Sequence, residues 1–420
     1  MTSKLMNGQL LPQFSKRCSF CKLRKISTAP QILSIELIKV QQPSFLLIRS
    51  CSNYSSNVIE REPSDPITEI VTDSSEQTDN SHSTPVKRFL DEVKLRAELS
   101  GKLEKVRVKH VGHNKNMEVE VNRNYSTPLD VARHLGRNYV TLSAVALLNA
   151  SKVVDMNQAI SEKENVTLQF VWFKNQQQQD PHLANKTLWN TCSLLSGAVL
   201  GDIFKETIKV IPHLSTPDLT ATEGAFGFEF ELVKTDSDED DRLNWTASQS
   251  ELSFVNRKLR SFIYSKPDIY GLDCGLKSAE KVLGADSSNL AVAKHILSHF
   301  GDSVNHKVRL YLCGGSPSSP SSAIHLHPGP LLPNVHLVGQ MEITAVYPLG
   351  CTGLNGASLH RIEGVALPSV LHAHHWPWTV LTSAAREDAL SRQTLMPPNS
   401  IESFAEWYKN ECKWRNNSVV

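Results

Sequence analysis

Long apolar runs are missing from this chain of 420 residues. Stretches such as 43–48 and 140–148 fall far short of the roughly 20 apolar residues that a helix needs to cross a bilayer. No membrane partner is therefore expected. Cysteine is scarce, with eight at Cys18, Cys21, Cys51, Cys192, Cys274, Cys313, Cys351 and Cys412. They are scattered, and a chain of this length builds a core without disulfide staples, so a reducing compartment is expected. Cys18 and Cys21 have the spacing of half a zinc site, but no second pair completes it. The acidic run 236–241 (DSDEDD) lacks the spaced oxygen ligands and the glycine of a calcium loop, and reads as a solvated hairpin loop. No metal or cofactor is expected. A compact apolar segment followed by a small-residue cleavage site is also missing, which argues against secretion.

The charge that is present is uneven. The net charge is +1, yet residues 1–51 hold eight basic side chains and a single acidic one, Glu36, leaving −6 on the remainder. A basic, serine-rich, acid-poor start predicts a mitochondrial transit peptide over 1–51, with Arg49 followed by Ser-Cys-Ser suited to processing. The other reading is a basic arm that stays attached and binds RNA. Residues 52–86 are polar and nearly free of aromatics, which predicts a disordered linker.

Organisation follows from periodicity. Residues 87–105 mix apolar positions with charge of both signs and predict an exposed helix, either laid on RNA or simply solvated. Over 106–173, Val106 and Val108 alternate with Arg107 and Lys109, and Met117, Val119 and Val121 alternate in the same way. Residues 112–116 supply a turn. Ser126 or Thr127 caps a helix with Pro128 at its first position, running to Gly136. Later strands are read at 140–148 and 166–173. Two strands, a helix and more strands in about seventy residues predict a small β-grasp domain. After a glutamine-rich linker at 175–180 come a largely apolar helix over 185–204 and a strand over 223–234. A helix over 252–264, a loop at 313–322 and strands at 335–347 and 359–367 follow, with a helix-or-loop tail over 377–420. Cys192, amid apolar helix positions, reads as a small core residue. Trp376 and Trp378 read either as a partner anchor or as core. The fold class is α+β.

These segments resemble the N-terminal half of a threonyl-tRNA synthetase. Residues 106–173, with STPLDVARHL at 126–135, resemble its TGS domain. Residues 185–376 resemble its editing domain through LWNTCSLLSGAV at 188–199, GAFGFEFEL at 224–232, HPGPLLPN at 327–334 and LHRIEGVALP at 359–368. Each motif alone is weak; four in order behind a TGS-like domain are specific. In an active editing domain an HxxxH pair on the first helix faces a CxxxH pair ahead of a Gly-Pro turn. The corresponding positions here are Asn190 and Leu194, and His327 and Leu331. Leucine neither ligates nor transfers protons, and one imidazole with one amide is too little for zinc or acid–base work. His327 then reads as an ordinary polar loop residue. Only about fifty residues follow position 370, too few for the aminoacylation domain.

A presequence, a TGS-like domain and an editing-like domain without its reactive groups together resemble a family of mitochondrial large-subunit ribosomal proteins. That resemblance implies a structural role in the mitochondrial matrix, with mitochondrial rRNA and other large-subunit proteins as partners. It implies no catalysis, no cofactor and no small-molecule substrate. Residues 87–137 hold twelve basic and seven acidic side chains. Lys87, Arg88, Lys94, Arg96, Lys102, Lys105, Arg107 and Lys109 are the candidates for phosphate contacts, or else serve solubility. The acidic second domain is expected to meet neighbouring proteins. Two other functions stay open at this point. One is a free-standing deacylase of mischarged tRNA with a rebuilt site drawn from His325, His327, His372, His374, His375 and Cys313. The other is an RNA-binding regulator outside the ribosome.

Overall fold

In the computed structural model, the described residues are 84–99, 103–112, 116–173, 182–204, 208–213, 225–234, 245–265, 267–284, 287–299, 307–314, 323–353 and 356–395, with 406, 408–410 and 412. All fall within one unit, Thr78–Val420. The transit peptide, most of the linker, the glutamine run, the acidic run, the loop around 315–322, Lys102 and most of the tail lie outside the described residues.

Helix α1 spans Pro85–Leu99. It ends earlier than the sequence pattern predicts, and Leu103 and Glu104 already lead into strand β1, Lys105–His110. Nor is it a solvated helix. Phe89 and Val86 are buried in the main core, and Glu92 is buried between Arg96 and Lys281.

The alternation of β1 puts Val106, Val108 and His110 inward. β1 pairs antiparallel with β2, Met117–Asn122, and the chain then enters α2, Pro128–Leu135. Thr127 caps that helix in a reciprocal capping box with Asp130, which satisfies two otherwise unpaired N–H groups. Helix α3 follows at Arg137–Leu142, and β3 begins only at Ser143 and ends at Leu148. The apolar run from 140 therefore splits between helix and strand, because a short apolar run carries no period to tell them apart. β4, Lys152–Val154, and β5, Val166–Trp172, complete a five-stranded sheet in the order β2-β1-β5-β3-β4, with β5 parallel to β1. Leu129, Val131 and Ala132 of α2 share a core with Val108, Met156, Leu168 and Phe170.

The second part is organised around α4, His182–Gly201, which is buried on nearly every side. Gly197 lets it press against a neighbouring strand: a Cβ there would lie 2.9 Å from the Phe228 ring. Next come β6, Ile208–His213; β7, Ala225–Lys234; α5, Gln249–Ser265; β8, Ile269–Cys274; α6, Leu276–Leu283; α7, Ser288–His299; β9, Val308–Cys313; β10, Ala323–Leu326; β11, Val338–Thr352; β12, Ser358–Pro368; and α8, His375–Leu395. Two further antiparallel sheets result, β10-β9-β8 and β11-β12-β7-β6. Phe226, Phe228, Phe230 and Leu232 of β7 enter the same core as α4 and the apolar residues of β8 and β9. Each such side chain contributes on the order of 2 kcal/mol by burial.

Arg88 closes the junction of α1 with α6. Its Nε donates to the Val282 carbonyl at 3.0 Å and its Nη2 to the Leu283 carbonyl at 3.0 Å, placing a cation on carbonyls that the α6 C-terminus leaves open.

Candidate functional site

α4 and the loop after β10 meet where the resemblance places a reactive centre. Asn190 is buried, and its Nδ2 donates to the carbonyl oxygens of Gly329, at 3.4 Å, and Pro330, at 3.3 Å. One residue on, the Thr191 hydroxyl accepts from the Leu332 N–H at 2.9 Å. Gly329 has φ +75°, a left-handed conformation that glycine adopts without strain. Leu194 and Leu331 are fully buried members of the main core. His327 departs from the expectation of an ordinary polar loop residue, for it is fully buried. Its Nδ1 accepts from the Gly329 N–H at 2.9 Å, and its own N–H donates to the Arg309 carbonyl at 3.1 Å. The groups present at these positions close a loop onto a helix.

The candidates for a rebuilt hydrolytic site fall in two places: His325, His327 and Cys313 are buried along the β9–β10 ladder, and the three histidines near α8 are exposed. His325 lies opposite Tyr311 in the β9–β10 ladder, and the His327 N–H continues that ladder to the Arg309 carbonyl one residue past the end of β10. Burial pushes the His325 imidazole down to about 4, which leaves it neutral at physiological pH. Burial pushes the Cys313 thiol up to about 12 and raises Cys192 well above the usual thiol range, so neither is a thiolate nucleophile. His372, His374 and His375 are exposed near the start of α8, apart from the buried His325. Among the described residues no three His, Cys, Asp or Glu side chains are grouped to hold a metal ion.

Two buried polar clusters were not singled out from sequence. In the first, Asp155, following β4, reaches into the second part of the chain. Its Oδ1 accepts from the Leu331 N–H at 3.1 Å, and its Oδ2 accepts from the Tyr311 hydroxyl at 2.7 Å and pairs with Arg309 Nη2 at 2.7 Å. Arg309 also pairs with Asp273 at 2.9 Å. Burial opposes the Arg309 charge, but Tyr311, Asp155 and Asp273 outweigh it and raise its pKa. Asn157 adds donations to the carbonyls of Ile269, at 2.8 Å, and Pro333, at 2.7 Å. The available signal was one arginine inside the otherwise apolar run VRLYLC, since a buried charge demands a partner.

In the second cluster, the register of β7, β12 and β11 puts Glu229, Arg361 and Tyr347 side by side, with Glu363 one pair further along. Arg361 Nε meets Glu229 at 3.0 Å, and the Tyr347 hydroxyl donates to Glu363 at 2.6 Å. His213 of β6 hydrogen-bonds Glu231, and all six side chains are buried. The charged letters of FEFEL and HRIEG alternate with apolar ones in both strands, which in hindsight marks one shared sheet face.

The basic candidates divide. Lys87 and Lys94 are exposed on α1, whereas Arg88 is turned onto α6. Arg96 is held by Glu92 at 3.0 Å and by the Asp273 carbonyl at 2.6 Å. Lys105, Arg107 and Lys109 share the outward face of β1. Register sets Glu120 opposite Arg107 and Glu118 opposite Lys109, which weakens the positive field of that face.

Fold and site together define an α+β protein in which a small five-stranded sheet is locked to a larger helix-and-sheet part, with Asn190, Leu194, His327 and Leu331 buried where α4 meets the loop after β10. No family model matches the chain. It is similar to the large ribosomal subunit protein mL39 of Drosophila melanogaster, 27% identical over 304 residues that cover 72% of this chain and 84% of that protein. This similarity supports identification of the chain with the mL39 proteins.

Proposed function

We propose that the chain is a structural component of the large subunit of the mitochondrial ribosome. It works in the matrix and is held by ribosomal RNA and neighbouring ribosomal proteins. The similarity to a large-subunit protein over most of both chains carries this reading. The deacylase and the non-ribosomal regulator gain no support from the geometry. We read the five-stranded sheet and α2 as a TGS-type β-grasp domain. The part from α4 onward is read as an editing-type domain in which Asn190, Leu194, His327 and Leu331 serve packing in place of hydrolysis. The chain then acts by binding and performs no catalysis. The basic N-terminus directs import, and no described helix is long and apolar enough to cross a membrane. RNA affinity comes from lysine and arginine meeting phosphate with release of counterions. Lys87, Lys94, Lys105, Arg107 and Lys109 are the side chains for that contact on this part of the molecule, while Arg88 and Arg96 hold α1 in place.

Sedimentation of mitochondrial lysates with mass spectrometry of the large particle tests the proposal. The chain is expected in that peak at one copy per particle. Its recovery only in slow fractions, or hydrolysis of mischarged threonine tRNA by the purified chain, refutes it. Changing Lys105 and Lys109 to glutamine is expected to reduce incorporation several-fold with little change in thermal stability.

A further inference from the structure

A cleft of about 800 Å³ lies between the last turns of α5, the first half of β11 and one face of α8, away from the basic strand β1. Its floor includes the buried apolar side chains of Val338 and Met341. Arg260 stands on the α5 side and Arg386 on the α8 side. The exposed face of α5 continues this charge with Arg257 and Lys258, whose cationic ends lie 5.9 and 5.8 Å from the Phe254 ring centre. Tyr264, at the rim, is 85% exposed. Within the cleft, the Trp378 indole N–H donates to Glu342 at 3.2 Å, which engages the one carboxylate of the lining. Among the described residues, no ion pair is formed by Arg257, Arg260 or Arg386, although the Arg386 Nε donates to the Thr344 carbonyl at 3.4 Å and Lys258 interacts electrostatically with Asp202.

Cations flanking an apolar floor, with an aromatic ring free at the rim, match the chemistry of a single-stranded polynucleotide. Phosphates take the guanidinium groups, and a base stacks on the ring. An uncharged helix or strand fits less well, because seating it on the apolar floor would leave the flanking Arg260 and Arg386 without counter-charge. We propose that this cleft binds single-stranded RNA, with Arg260 and Arg386 on successive phosphates and one base stacked on Tyr264. The inference rests on the ribosomal reading only for the source of that RNA.

Binding of fluorescein-labelled oligouridylate to the purified full-length chain, followed by anisotropy across a salt series, tests it. Arg260→Glu with Arg386→Glu is expected to weaken binding at least tenfold. It should also flatten the dependence of log affinity on log salt by about 1.4, as for two lost phosphate contacts on a single strand. Tyr264→Leu, at a position too exposed to affect folding, should weaken binding about tenfold and leave the salt slope unchanged. Unchanged affinity in both variants overturns the proposal. In purified large particles, ultraviolet cross-linking is expected to attach a nucleotide to the peptide carrying Tyr264. A protein cross-link at that peptide in place of RNA overturns the cleft proposal while leaving the ribosomal reading intact. Absence of the wild-type chain from the particle overturns the ribosomal reading, with the oligouridylate result still deciding the cleft.

Discussion

Arg361 and Glu229 are a buried ion pair in a sheet face that carries three glutamates, and neither has water to fall back on. Removing one partner of such a pair strands the other and costs about 3–5 kcal/mol. Arg361→Met is therefore expected to lower stability in urea unfolding by that amount, and Arg361→Met with Glu229→Met should recover much of it. A single variant as stable as the wild type would show that the pair is solvated. His325 sets a pH dependence. Its imidazole falls from an ordinary value near 6.5 to about 4 on folding, because burial disfavours the charge. A group depressed in this way leaves stability intact above about pH 6.5 and withdraws it as pH falls toward 4, by roughly 3 kcal/mol in all. Burial lowers His110 as well, partly offset by its hydrogen bond to the Leu168 carbonyl, and it acts in the same direction. Unfolding midpoints are expected to drop between pH 6.5 and 5, above the carboxylate range, and His325→Leu should flatten that drop. An unaltered slope in the variant excludes His325 as its source.

At the scale of elements, α1 was legible in the sequence as a helix but not as a packed one. The charges that suggested RNA contact include Arg88 and Arg96, and both bind carbonyls of the fold. Composition does not distinguish a guanidinium aimed at phosphate from one aimed at the end of a helix, because both targets are oxygen acceptors. Phe89→Ala should cost about 3–4 kcal/mol. It should also expose the segment around α1 to limited proteolysis ahead of the rest; simultaneous cleavage throughout the chain would mean that α1 is not a separable anchor. α2 was readable to within a residue, since Ser126 or Thr127, Pro128 and Gly136 encode its local termini, and the structure selects Thr127 through its bonds with Asp130. The start of β3 was not, because α3 and β3 share one apolar run and only pairing with β5 selects the strand.

For the whole molecule, Asp155 and Asn157 couple the small sheet to the larger part through Arg309, Tyr311, Ile269, Leu331 and Pro333. Asp155→Ala leaves Arg309 short of one counter-charge in the interior. It is expected to split a single calorimetric transition into two, with the five-stranded sheet melting apart from the rest. A single transition lowered as a whole would mean that apolar contacts suffice to couple the parts. Such a lock suits a component that must present two surfaces in fixed relation, as the proposed place in a ribosomal particle requires.

By itself the sequence determined the strongly periodic elements, such as β1, β2, α2, α4, β7, α5 and β12, and what the chemistry excludes. Alternating and helical periods are local, caps and turns are local, and leucine at positions 194 and 331 supplies neither ligand nor proton wherever it lies. The tertiary structure alone decided which charges face inward. Arg309, Arg361, Glu229 and Asp155 are ordinary letters in the sequence. Their burial depends on partners that lie from 36 to 156 residues away, brought near only by the pairing of strands and the packing of the sheets. It likewise decided that Asn190 and His327 close a loop onto a helix, because their hydrogen bonds form only once α4 and the Gly329 turn meet.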